Sequence, residues 1–258
     1  MIQLKKRSVL LLALWLVGFP ATLVLALPVV VSNPKEQLDK VFRAEDEYVK
    51  KVIQQGKCWY VEYRMTSEIA DPIEKRYKTV VAEGAIYATK DTRRVKSDMV
   101  ETYVDFNDVF TINKGAKTVT RGRSTPKALS ANGAVTQILR DSVLKQYTIT
   151  SRTRIKEDGD SLTRFEMKGV TSNTQYRRLI FVTDDTRGMF RQIRAEINPA
   201  YSKELKAFTL QIKSRGVKAP DPSLKNLSNC FITNDEKLKP PYQEYRFVDL
   251  TKPLKRMK

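Results

Sequence analysis

From Asn33 onward, apolar residues recur at α-helical spacing. Asn33-Pro34-Lys35-Glu36 reads as an N-cap, a proline at the first helical position and a Glu placed for a capping box. Leu38, Val41, Phe42, Tyr48, Val49, Val52 and Ile53 then share one stripe until Gly56 stops the run. Lys40, Arg43, Glu47 and Lys50 take the other side, so the helix has an apolar face that must be covered.

At Lys57 the period changes from about 3.6 to 2. Trp59, Val61, Tyr63 and Met65 fall on one strand face, with Tyr60, Glu62 and Arg64 opposite. A second strand alternates Val80, Ala82 and Ile86 with Tyr77, Thr79 and Val81. Two more are predicted from Val95 to Phe106 and from Val109 to Arg121, with turn chemistry at Asn107-Asp108 and Lys114-Gly115. Asn132-Gly133 ahead of Val135, Ile138, Leu139 and Val143 predicts a short helix. Period-2 runs return at Tyr147–Ile155, Leu162–Lys168, Tyr176–Thr183, Met189–Ile197 and Lys206–Lys213. The order predicts a mainly β (α+β) protein: a curled antiparallel sheet, with the first helix and the short mid-chain helix across its concave face. Such a face encloses either an apolar ligand or only its helices.

Upstream, Lys5, Lys6 and Arg7 precede an uncharged run from Ser8 to Pro34, the pattern of an export signal. Gly18, Pro20 and the small residues Val24 and Ala26 fit cleavage before Leu27. The 23 residues from Val9 to Val31 are also long enough for a retained anchor, so both outcomes stand open. The expected organisation is a leader over residues 1–26, a domain over 27–218, and a proline-containing appendage with a basic end over 219–258. The expected location is extracytoplasmic, in a periplasm, free or tethered by the N-terminal helix.

The formal charge is +18, of which the leader's three cations leave +15 on the remainder. The basic residues are scattered, with no nucleic-acid motif, so they read as a solvating surface that biases the protein toward an anionic membrane surface rather than nucleic acid; the alternative to a carrier is an envelope binding or structural module that uses this surface on an acidic polysaccharide or a protein partner. Cys58 and Cys230 are the only cysteines. In an oxidising compartment they are either two thiols or one disulfide closing a long loop, worth ~4–5 kcal/mol in the chain-entropy account.

The chain has no histidine, which excludes His-dependent hydrolases and every His-ligated metal site. Asp105 with Asp108, and Asp184 with Asp185, read as turn residues rather than calcium ligands or an acid–base pair. Gly115-Ala116-Lys117-Thr118 lacks the upstream glycine of a phosphate loop and reads as a hairpin. No catalytic set, metal or cofactor is expected, and the protein is read as a non-enzyme. The strand aromatics supply either a packed core or the lining of an apolar pocket; the residues chosen for a lining are Trp59, Val61, Tyr63, Val104 and Phe106.

Three segments resemble the LolA-like and LppX-like carriers: the amphipathic helix after the leader, Met99–Phe106 with Val109–Gly122, and the strand–turn–strand run Tyr176–Ile193. The short helix near Val135 falls at the family's mid-chain lid. The resemblance spans roughly Lys35 to Arg215, and the appendage past Ala219 departs from it. It implies an unclosed half-barrel binding the acyl chains of a lipid or lipidated protein. No binding residue carries over.

Overall fold

In a computed structural model, the described residues are 33–71, 73, 74, 76–124, 140–157, 159–221 and 226–252. The leader, the predicted helix from Asn132 to Leu139 and the basic end after residue 252 lie outside them. Helix α1 spans Pro34–Gln54. Six strands follow: β1 (Cys58–Ala70), β2 (Tyr77–Ala88), β3 (Arg93–Ser97), β4 (Val100–Val104), β5 (Asp108–Asn113) and β6 (Thr118–Arg123). Residues 140–146 are helical (α2). Then come β7 (Tyr147–Glu157), β8 (Asp160–Gly169), β9 (Tyr176–Asp184), β10 (Met189–Ile197), β11 (Leu205–Lys218), α3 (Leu227–Phe231) and β12 (Arg246–Asp249).

The ends of α1 follow the sequence signals. Asn33 Oδ1 accepts from the Lys35 amide at 3.0 Å, and Asn33 Nδ2 donates to Glu36 at 3.3 Å. At the other end Gly56 takes φ +70° while its amide donates to Ile53 O and that of Lys57 to Val52 O, which satisfies two otherwise orphaned carbonyls.

The strands form one sheet in the order β12-β6-β5-β4-β3-β2-β1-β11-β10-β9-β8-β7. β12 and β7 are its edges, so it does not close into a barrel. Consecutive strands from β2 to β6 and from β7 to β11 pair antiparallel. β12 pairs parallel with β6, which makes the sheet mixed rather than purely antiparallel.

Three local expectations are corrected. The predicted strands 95–106 and 109–121 are four short ones. The unpredicted break is at Asp98-Met99, where Ser97 Oγ bonds both the amide and the carbonyl of Val100. Val80, predicted on the strand face opposite Val81, is exposed together with it in the outer half of β2. Residues past Ala219 are not merely extended: they contribute α3 and β12.

The chain divides into two compact units. The first is Met1–Lys51, Val61–Glu83 and Asn132–Gly216; the second is Val52–Tyr60, Gly84–Ala131 and Val217–Lys258. In the first, Leu38, Phe42 and Val49 of α1 are buried, and Phe42 packs edge-on against Phe181 (5.6 Å) and Phe190 (4.9 Å). In the second, Phe231 of α3 covers β4 and β5, stacking on Phe110 and meeting Tyr103 edge-on, both at 4.9 Å. Ile112, Val119, Leu227 and Leu238 complete that core. Among the described residues, no helix is long and apolar enough to cross a membrane.

Candidate functional site

The apolar stripe of α1 carries one acidic residue. Glu45 lies three positions after Phe42 and four before Val49, and it is fully buried. Its Oε1 accepts from the Phe190 amide of β10 at 2.9 Å and from Arg215 Nη1 of β11 at 3.1 Å. Arg215 Nη2 in turn donates to the Phe190 carbonyl. Glu45 Oε2 is buried with no hydrogen-bond partner. Burial drives its pKa up to about 7, against the opposing pull of Arg215 and the Phe190 amide. The covering helix is therefore held by apolar contacts plus one imperfectly satisfied ion pair, a contact that apolar residues of similar volume often match or exceed in stability.

The other side of the same sheet region is polar, and its charges form a chain of contacts. Lys206 and Arg194 both bind Glu68, at 2.8 and 2.7 Å. Glu196 binds Arg177 at 3.1 Å and lies 3.6 Å from Arg178, which also bonds Glu166; Glu166 reaches Arg164 at 2.8 Å. Such half-exposed pairs contribute about 0–1 kcal/mol each, so they neutralise arginines more than they stabilise the sheet. Beside them, a shallow groove of about 250 Å³ has Ile155, Ile180 and Val182 in its lining together with Arg164, Arg191 and Arg194.

In the second unit Arg94, Lys114 and Arg121 are partly buried and ion-paired. Register aligns Tyr87, Arg94, Tyr103, Phe110 and Arg121 across β2 to β6. The Arg94 guanidinium lies 4.8 Å from the Tyr103 ring centre. Glu101 accepts from Arg94 (2.9 Å), Lys114 (2.9 Å) and the Tyr103 hydroxyl (2.7 Å). Burial alone would raise its pKa, yet these donors hold it down to about 2.

The carboxylate pairs behave as turn residues. Asp105 Oδ1 accepts from the amides of Asn107 and Asp108, and Asp184 Oδ1 from those of Thr186 and Arg187. Asp108 does more: it forks with Arg121 at 2.7 and 3.2 Å and accepts from Ser228 of α3. Gly115-Ala116-Lys117 lies in the β5–β6 turn, as the hairpin reading expects. Among the described residues, no cluster of His, Cys, Asp or Glu could hold a metal. Cys58 and Cys230 are not bonded; Cys58 is buried with Sγ donating to Trp59 O, and Cys230 Sγ donates to Asn226 O. Burial pushes both thiols up.

Of the five lining residues, Val61 and Tyr63 share the buried face of β1 in the first unit. Trp59, Val104 and Phe106 belong to the second. Trp59 is buried and its Nε1 has no acceptor. Val104 is half-buried, one residue out of phase with buried Tyr103. Phe106 is not in a strand at all: it sits in the β4–β5 turn, 54% exposed. Glu45 was missed although its signal was present, an acidic residue at the centre of an apolar stripe; nothing comparable marked Arg215.

Neither a protein-family model nor a curated protein matches the chain in sequence. In fold, several solved structures are similar to it. A LolA superfamily protein from Nitrosomonas europaea is similar over 76% of this chain and 98% of its own, at 8% identity and TM-score 0.30. A protein described as an outer membrane lipoprotein-sorting domain, from Vibrio parahaemolyticus, is similar over 76% and 99%, at 9% identity and TM-score 0.34. A DUF1329 family protein from Desulfovibrio piger is similar over 77% and 100%, at 11% identity and TM-score 0.37. LolA-like proteins, the resemblance read from the sequence, are thus among the folds this chain is similar to.

Proposed function

We propose that this protein is a non-enzymatic extracytoplasmic carrier that takes acyl chains of a lipid or lipidated protein against the sheet face beneath α1. The observation that carries the reading is the Glu45–Arg215 contact: a covering helix whose apolar face meets aromatic and aliphatic side chains, secured at its centre by an incompletely hydrogen-bonded polar pair. Moving α1 aside lets both charges regain water, which offsets part of the lost apolar contact. The exposed sheet face, with Phe181, Phe190, Val61 and Tyr63 on its buried side, then accepts chains in place of Leu38 and Phe42. Affinity stays modest because the helix competes for the same surface, as handing cargo on requires. The net positive charge draws the protein to anionic membrane surfaces.

The test compares the full chain with the double variant Glu45→Leu/Arg215→Met, both purified from a membrane-rich host and examined by native mass spectrometry. The wild type is expected to carry a mass that fragments to lipid. The variant, with an all-apolar seat for α1, is expected to be more stable and to carry less. A clean apo mass for the wild type, or equal loading of the two, would remove the carrier reading.

A further inference from the structure

We infer that the outer edge of β7 is a docking strand for an extended, acidic segment of a partner protein. β7 pairs only with β8 and ends the sheet, so the main-chain groups on its other side have no ladder partner among the described residues. From Ser151 to Glu157 its register with β8 runs without a shift and without proline, and every residue but Ile155 is exposed. The opposite sheet edge, β12, is only four residues long.

Charge selects the occupant. Arg152, Arg154 and Lys156 alternate along β7 and so project to the same side, and none has an ion-pair partner among the described residues. On the other side Thr153 precedes Ile155, which packs on Leu162, Ile180 and Val182 at the mouth of the 250 Å³ groove. A strand added along this edge sends alternate side chains to these two sides. Acidic residues at every second position meet the three cations, and apolar or hydroxyl residues between them meet Thr153 and Ile155. Basic residues on an edge discourage pairing with neutral strands, and a second copy of this edge would set cation against cation. An acidic strand is the one sequence class that those same residues admit. This site does not depend on α1 opening.

The experiment titrates the full chain at low salt with a fluorescent peptide of alternating glutamate and valine. Two further peptides carry backbone N-methyl groups on one or the other alternate set of residues. The parent is expected to bind; one methylated peptide should bind like it, and the other should lose about tenfold or more, because only one set of amides faces β7. Arg152→Glu/Arg154→Glu, and more mildly Arg152→Ala/Arg154→Ala, should weaken the parent about tenfold with an unchanged melting temperature, whereas exposed Lys213→Glu should change it less than about twofold. Equal binding of both methylated peptides would assign the cations to general polyanion attraction and overturn the docking strand. No binding of the parent, or indifference to the arginine variants, would overturn it as well.

Discussion

Glu45 and Arg215 meet 3.1 Å apart, the carboxylate fully buried and the guanidinium side chain 13% exposed, on an otherwise apolar helix–sheet contact. Burial lowers the pKa of Arg215 against the pull of Glu45, and Arg191 and Asp184 act on it in opposite directions. The pair is therefore the place where pH acts on the seat of α1.

Because Glu45 is raised from 4.5 to about 7, the folded protein keeps a proton there that the unfolded chain releases earlier. The associated stability is present in full below pH 4.5 and is lost as pH rises through 7, a change of roughly 3 kcal/mol. Glu45→Gln is expected to flatten this part of the profile. Urea denaturation at intervals between pH 4 and 8 checks it; parallel profiles for variant and wild type would contradict it.

Glu101 carries the opposite sign. Held down to about 2, it stabilises the second unit above its ordinary 4.5, and that contribution disappears as pH falls through 2. Glu101→Gln should cost about 1–3 kcal/mol at pH 7, by leaving Arg94 and Lys114 without their carboxylate, and much less near pH 2. Denaturant midpoints at the two pH values measure the difference.

Phe231→Ala should destabilise the second unit by about 3–5 kcal/mol, since it removes the ring that stacks on Phe110 and leaves a cavity between α3 and the strands. Limited proteolysis should then cut first between residues 226 and 252. A melting temperature within a degree of wild type would contradict the assignment of α3 to the core.

Gly56→Ala isolates a backbone effect. Its φ is +70° and a Cβ there meets nothing within 4 Å, so the cost is conformational alone, about 1 kcal/mol. Gly56→Asn should cost less, because Asn tolerates the left-handed region. Thermal melts of the two variants give the ranking.

What the sequence disclosed was whatever local chemistry decides. Asn33, Pro34 and Gly56 bound α1 because caps act over one turn, and β10 occupies the predicted Met189–Ile197 because its flanks carry Asp184, Gly188 and Asn198. The β3–β4 break stayed hidden since its turn, Asp98-Met99, holds neither glycine nor proline. β12 stayed hidden because four residues are too few for a period, and its partner β6 is remote in sequence. Phe106 was misplaced for a related reason: alternation running through Asp105 masked a turn held by that side chain. The Glu45 anomaly was legible as a misfit, but its meaning depended on Arg215, supplied by a distant strand.

The interleaving of the two units has a consequence for the order in which the molecule assembles. α1 is made early, yet its seat on β9, β10 and β11 is complete only once residue 215 has emerged from the ribosome. β4, β5 and β6 likewise wait for Leu227, Phe231 and Phe247 to cover them. Neither core is complete without residues from distant parts of the chain. Non-local cores of this kind fold more slowly than local ones and leave apolar strands uncovered for longer.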